Sequence, residues 1–273
     1  MKPREQPTLT DVPETMLWTL HNRASEAMRH DCVLEDEKAI EIFRAIDYDY
    51  RRHFGRPEPS HALRSLVFDH EIREFLNADP HGVVVNLGEG LETQRYRVDG
   101  ASLWLTVDLP EAIEIRERFI EPDERHQHLA LSALDRAWID AIPEGRSTLV
   151  TAQGLFMYFT EADVRSLLTD LSRDLPGCCI VFDTIPRWFS RKTLSRKGLQ
   201  RTRHYRAPAM PWGIDRGDIE ATMGSWFGDR AEITDIGYPV FPRGISRCMT
   251  WLWFTVPRLR RISPTIVKVQ MAS

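Results

Sequence analysis

Residues Val83–Gly100, VVVNLGEGLETQRYRVDG, decide the fold of this chain. A short apolar run stops at Gly88 and Gly90, and a charged segment follows. Glycine at such a point lets the backbone turn sharply and lets a ligand approach main-chain N–H groups. Strand-to-helix turns also carry glycines for steric reasons alone, so the turn by itself names no ligand.

Working outward, VVVNL is the first of five short apolar runs; LWLTVD, LALSAL, TLVTAQ and CIVFDT follow it, separated by helical segments. Runs this short and this apolar suit buried parallel strands. Alternating strands and helices imply right-handed crossovers and an α/β, doubly wound, mostly parallel sheet. After the fourth run, Thr160 and Asp163 predict a capping box, and Val164, Leu167, Leu168, Leu171 and Leu175 form one helical stripe. Near the C-terminus, AEITDIGYPV and CMTWLWFTV read as two further strands in a hairpin. The first 15 or so residues read as a loose tail, and Met16 to Leu76 as helices. The expected organisation is a helical N-terminal extension or lid over 1–80 and a core domain over 81–273, with 184–230 as a substrate cap.

The chain has 273 residues and a net charge of -4, so as a whole it is not built to bind polyanions. The cysteines, Cys32, Cys178, Cys179 and Cys248, lack paired metal-ligand spacing, and no metal is expected. The opening MKPREQPTLTDVPET is polar and proline-bearing, unlike a secretory leader, and the apolar runs are too short to span a bilayer. A reduced cytoplasmic compartment is expected, with no membrane and no nucleic-acid partner.

LWLTVD ends in Asp108, twenty residues after Gly88. An acid at the end of the second strand is placed to accept hydrogen bonds from the ribose hydroxyls of an adenosine ligand. The alternative reading of Asp108 is a helix N-cap before Pro110 and Glu111. A dinucleotide site wants a third glycine where Thr93 stands, and Glu89 and Glu92 crowd the turn. Carboxylates there would repel a pyrophosphate; they are tolerable beside S-adenosyl-L-methionine, which has no phosphate and carries a sulfonium and an amino group. The local charges favour the methyl donor over NAD.

VVVNLGEGLETQRYRVDG, VDLPEAIEIRERFI and TAQGLFMYFTEADVRSLLTDL, with NRASEAMRHDCVLEDEKAIEIFRAIDYD and HALRSLVFDHEIREFL before them, resemble the leucine carboxyl methyltransferase family. The closer likeness is to its bacterial branch of polyketide-type O-methyltransferases, and it covers about residues 16–185. The resemblance implies a seven-stranded, Rossmann-like methyltransferase fold with a helical extension folding over the donor. It implies a site for S-adenosyl-L-methionine built from Asn86, Gly88, Gly90, Asp108, Leu109, Ser132, Ala133 and Gln153. Arg64, with Arg23 as second candidate, would pair with the donor carboxylate. Tyr158 would border the active site. The chain departs from the family pattern at Glu92, where Asp is usual, and at Gln153, where Glu is usual. It departs again at Ser132 or Ala133, where an acid often follows the third strand.

The segment Thr184–Ile214 carries eight basic residues and no acid. Trp188, Phe189, Tyr205 and Trp212 are interleaved with charges such as Arg206. Besides a solvated surface, that mixture suits a flat aromatic or polyketide-like acid as acceptor. His126, His128 and His204 are the titratable candidates for a base; His204 lies within the basic segment. The competing functions are an NAD-dependent oxidoreductase, a degenerate fold used as a binding module, and methylation of a protein C-terminal carboxylate.

Overall fold

The computed structural model describes residues 11–241 and 243–272. Helices α1 (Asp11–Ala27), α2 (Glu37–Ala45), α3 (Tyr50–Phe54) and α4 (Ser60–Ala78) come first. Strand β1 (Val83–Leu87), strand β2 (Leu103–Asp108), helix α5 (Pro110–Glu117), strand β3 (His126–Ala130) and strand β4 (Thr148–Ala152) follow. Then come α6 (Glu161–Asp174), β5 (Cys179–Thr184), α7 (Arg187–Leu194) and a small hairpin of β6 (Leu199–Thr202) and β7 (Tyr205–Ala207). The chain closes with α8 (Ile219–Phe227), β8 (Ala231–Asp235), α9 (Gly244–Thr255), α10 (Pro257–Arg260) and β9 (Thr265–Met271).

The main sheet has seven strands in the order β3-β2-β1-β4-β5-β9-β8. The first five pair in parallel; β9 enters antiparallel between β5 and β8. The doubly wound, mostly parallel architecture expected from the sequence is therefore present. Side chains alternate across it. Val83, Val85 and Leu87 of β1 pack with Leu167, Leu168 and Leu171 of α6, while Val84 packs with Phe68, Ile72 and Leu76 of α4. The capping box forms as predicted: Thr160 Oγ1 accepts from Asp163 N, and Asp163 accepts from Thr160 N at 3.1 Å.

Two strand expectations are corrected. LALSAL is not the third strand; pairing with β2 falls on His126–Ala130, and the run beyond it is loop. CMTWLWFTV is not a strand either, but most of helix α9. A short unbroken apolar run carries no period that separates strand from helix. The partner of AEITD is instead TIVKVQM, whose Ile266, Val267 and Val269 are fully buried.

Thr160→Ala removes one half of the capping box. It is expected to cost about 1 kcal/mol, read as a lower urea midpoint with an unchanged slope.

Candidate active site

Four strands end at one place. β1 runs into the glycine turn, β2 ends at Asp108, β4 leads into Gln153 and Gly154, and β5 ends at Asp183 and Thr184. All of these line a cavity of about 650 Å³. It lies at the carboxyl ends of the strands, where the strand order reverses between β1 and β4, which is where open α/β sheets bind ligands. Met16 and Trp18 of α1 and Trp253 and Phe254 of α9 contribute further walls.

The turn needs its glycines. Gly88 and Gly90 lie at φ of +66° and +52°, and a Cβ on Gly88 would sit 2.8 Å from Leu155 Cδ1. Asp108 braces the turn: Gly90 N–H donates to Oδ2 at 2.7 Å and Leu109 N–H to Oδ1 at 2.8 Å. Leu109, not Asp108, is the N-cap of α5, so the capping alternative is set aside. Burial raises the Asp108 carboxyl to about 6 despite these two hydrogen bonds. On the outer side, the buried Arg116 guanidinium donates to the carbonyls of Gly90 at 2.7 Å and Glu92 at 2.9 Å.

The acids of the turn are not free charges. Glu89 pairs with Arg116 at 3.1 Å. Glu92 pairs with Arg23 and with Arg97, the latter at 3.0 Å. Burial pushes Glu92 up, but the two guanidinium groups overcome it and hold the carboxyl at about 2. Both carboxylates are therefore already neutralised and would not repel a pyrophosphate.

Arg23 lies away from the cavity walls. It is 1% exposed, and donates to Asp36 at 3.2 Å, to Thr93 at 3.0 Å and to the Leu91 carbonyl at 2.7 Å, besides Glu92. It holds α1 to the turn and is placed as a structural cation. Arg64 does line the cavity. Its Nη1 donates to Asp183 Oδ2 at 3.0 Å while Nε has no partner among the described residues. The guanidinium packs under Gly154, where a Cβ would come within 2.7 Å of it. Gln153 Nε2 donates to Glu92 at 3.0 Å and to Ser65 at 3.2 Å, leaving Oε1 buried without a partner. Glu89 Oε1 and Asn86 Nδ2, also on cavity-lining residues, are likewise unpartnered among the described residues.

Of the other expected residues, Tyr158 and Trp188 line the cavity. Burial pushes the Tyr158 phenol up to about 12, against a hydrogen bond with Thr15. Ser132 and Ala133 sit in the loop after β3, outside the walls: Ser132 Oγ accepts from Leu134 N, and the Ala133 carbonyl accepts from buried Trp138. Trp212 is 2% exposed and packs in the core against Phe156 and Phe182. Tyr205 is buried against Trp18 and Phe54. His204 and Arg206 are exposed on the β6–β7 hairpin, with His204 beside Arg203. Neither lines the cavity, because the hairpin turns them outward. Most of the basic segment is likewise turned away. Arg201 is the member that lines the cavity, 2.6 Å from Glu58 and 4.8 Å over the Trp18 ring. His126 accepts a different fate, paired with Asp123 at 2.9 Å on the surface. His128 packs beside Arg116 and is pushed down to about 3, first by burial and then by that charge.

Sequence reasoning missed His61, Asp183 and Arg201 as wall residues. Asp183 lies one residue before the end of β5, much as Asp108 ends β2, and His61 stands one helical turn before Arg64, so both had a positional signal. Arg201 had none among eight similar charges.

Arg23→Ala leaves Asp36 and Glu92 buried with one cation fewer. A loss of about 3–5 kcal/mol in denaturant unfolding is expected; a small loss of stability with a large loss of donor affinity would instead mark Arg23 as a ligand residue.

The leucine carboxyl methyltransferase family model matches residues 18–172. The tetracenomycin polyketide synthesis O-methyltransferase of Streptomyces glaucescens is 32% identical over 210 residues, 76% of this chain and 76% of that protein. An S-adenosyl-L-methionine-dependent methyltransferase of Gibberella zeae is 29% identical over 180 residues, 59% of this chain and 60% of the relative. Among solved structures, the plantazolicin methyltransferase BamL matches with a TM-score of 0.52 at 12% identity, covering 96% of this chain and 100% of that one. The CurJ carbon methyltransferase matches at 0.51 and 12% identity, covering 96% and 68%. These two likenesses show the fold alone. Through the family match and the Streptomyces relative, the chain belongs to the leucine carboxyl methyltransferase family and is an S-adenosyl-L-methionine-dependent O-methyltransferase.

Proposed function

We propose that the acceptor is a small, flat aromatic or polyketide-like acid, methylated on its carboxylate. The observation that carries this reading is the composition of the cavity wall. Trp18, Tyr158, Trp188, Phe189, Phe241 and Trp253 line it, with Arg201, itself paired with Glu58, among them. Aromatic walls with few polar groups suit a planar ligand held by stacking and oriented by one or two charges.

The residues fit the donor. Gly88 and Gly90 leave the main chain open, Asp108 offers a carboxylate to ribose hydroxyls, and Leu109 is beside it. Arg64, through its unpartnered Nε, would meet the donor carboxylate. Gln153 Oε1 and Glu89 Oε1 would accept from its ammonium, and Asn86 would donate. S-adenosyl-L-methionine, when bound, supplies an electrophilic methyl group on a sulfonium. The chain's task is then to align an acceptor oxygen about 3 Å from that carbon.

A carboxylate acceptor is ionised at neutral pH and needs no base, whereas a phenol, with pKa near 10, profits from one. The groups around the cavity favour the first. Tyr158 is held protonated by burial. Asp183 already accepts from Arg64 and from Gly154 N–H. The same small-acid reading sets protein C-terminal methylation second.

Two outcomes test this. Mass spectrometry after incubation with labelled donor and a panel of aromatic acids is expected to find methyl esters; methyl ethers alone would move the acceptor to hydroxyl. Calorimetry is expected to detect S-adenosyl-L-homocysteine, and Asp108→Ala to abolish its binding. If ribose is held by ionised Asp108, affinity falls as pH drops through about 6, because the protonated acid loses acceptor capacity. Asp108→Asn should flatten that profile, and a profile unchanged by the substitution would remove Asp108 from the ribose site.

A further inference from the structure

His61 lies on α4 one turn before Arg64 and lines the cavity with Trp18, Glu58 and Arg201. Its ring meets the Trp18 ring edge-on at 5.5 Å. Its chemistry is fixed by a chain of two hydrogen bonds. Glu58 N–H donates to Asn22 Oδ1 at 3.0 Å, which sets the orientation of the buried Asn22 amide. Asn22 Nδ2 is therefore turned to His61 Nδ1, at 2.6 Å. An amide N–H can only donate, so Nδ1 must accept and the ring proton resides on Nε2. An imidazolium would set two donors face to face. No hydrogen bond to Nε2 is present among the described residues. Burial and the nearby charges of Arg64, Arg23 and Arg201 also hold the ring neutral, with Glu92 the opposing charge.

We propose that His61 is a substrate-binding residue that presents a neutral Nε2–H to an oxygen of the acceptor, and so selects aromatic acceptors bearing a carboxylate or carbonyl. The inference rests on the acceptor reading above and sharpens it. A neutral donor suits a carboxylate that must remain a nucleophile. It orients one oxygen while leaving the anion less quenched than a full ion pair would. His61 in this state is not a base toward the cavity, since Nε2 already holds its proton and Nδ1 is engaged by Asn22. The structural roles of the pair explain why the sequence shows nothing: Asn22 and His61 are 39 residues apart and meet only where α1 crosses α4.

The test uses the full chain saturated with S-adenosyl-L-homocysteine, with 3-hydroxy-2-naphthoate and 2-naphthol as probes differing by one carboxylate. The wild type is expected to bind the naphthoate more tightly. His61→Phe keeps a flat ring without the donor, and is expected to weaken naphthoate about tenfold while naphthol and S-adenosyl-L-homocysteine affinities stay unchanged. His61→Gln, which restores an amide donor, is expected to recover most of the loss. Equal naphthoate affinity in wild type and His61→Phe overturns the proposal, as does a parallel loss of S-adenosyl-L-homocysteine binding. Should His61→Phe fail to fold, nitrogen-15 NMR of histidine-labelled wild type decides the point: a neutral Nε2–H tautomer supports it, and an Nδ1–H tautomer or an imidazolium overturns it. A wild type that binds neither probe but shows the Nε2–H tautomer counts against the aromatic-acid reading, not against the donor assignment.

Discussion

The structure depends on a buried lattice of guanidinium and carboxylate groups just beyond the glycine turn. Arg97 reaches Asp36 at 2.6 Å, Asp69 at 2.8 Å and Glu92 at 3.0 Å, and Arg23 joins Asp36 and Glu92 from α1. Asp36 caps α2, Asp69 lies within α4, and Glu92 follows β1. One cluster thus ties the N-terminal helices to the loop that forms the donor side of the cavity. Such a cluster contributes little net stability compared with an apolar equivalent, but removing any one member leaves a buried charge uncompensated. Its effect is to fix one arrangement of the N-terminal helices around the carboxyl end of the sheet.

That cover explains the state of the residues beneath it. Asp108 is shielded enough to have a raised pKa, and Tyr158 is kept protonated. Gln153 takes its place in the same scheme. Glu92 lies 3.0 Å from Gln153 Nε2. The neutral amide donates to that carboxylate, where a glutamate at 153 would set a second carboxylate against it.

The far side of the cavity follows different physics. Its walls come from α1, the β6–β7 hairpin, and the segment from Tyr238 to Phe254. They meet through aromatic edges and faces, with Arg201 stacked on Trp18. Broad apolar contact there is compatible with a planar guest, and polar groups such as His61 and the Arg201–Glu58 pair give it direction.

The sequence by itself determined the parallel strands β1, β2, β4 and β5, the capped helix α6, the glycine turn and the acid at the end of β2. These are local: strand hydrophobicity, cap chemistry and glycine dihedrals are set by neighbours in the chain. NLGEGLETQRYR with VDLPE also carried the family. What only the tertiary structure decided is which charges meet which. Arg23 and Arg64 look alike on their helices, yet one is locked among Asp36, Glu92 and Thr93 and the other lines the cavity. Trp212 and Trp188 both follow β5, yet one fills the core and the other borders the cavity. TWLWFT had no period to separate helix from strand, and its state was settled when TIVKVQM took the place beside β5. Long side chains reach several ångströms from their own backbone, so partner choice depends on the packing of distant segments, which no local pattern encodes.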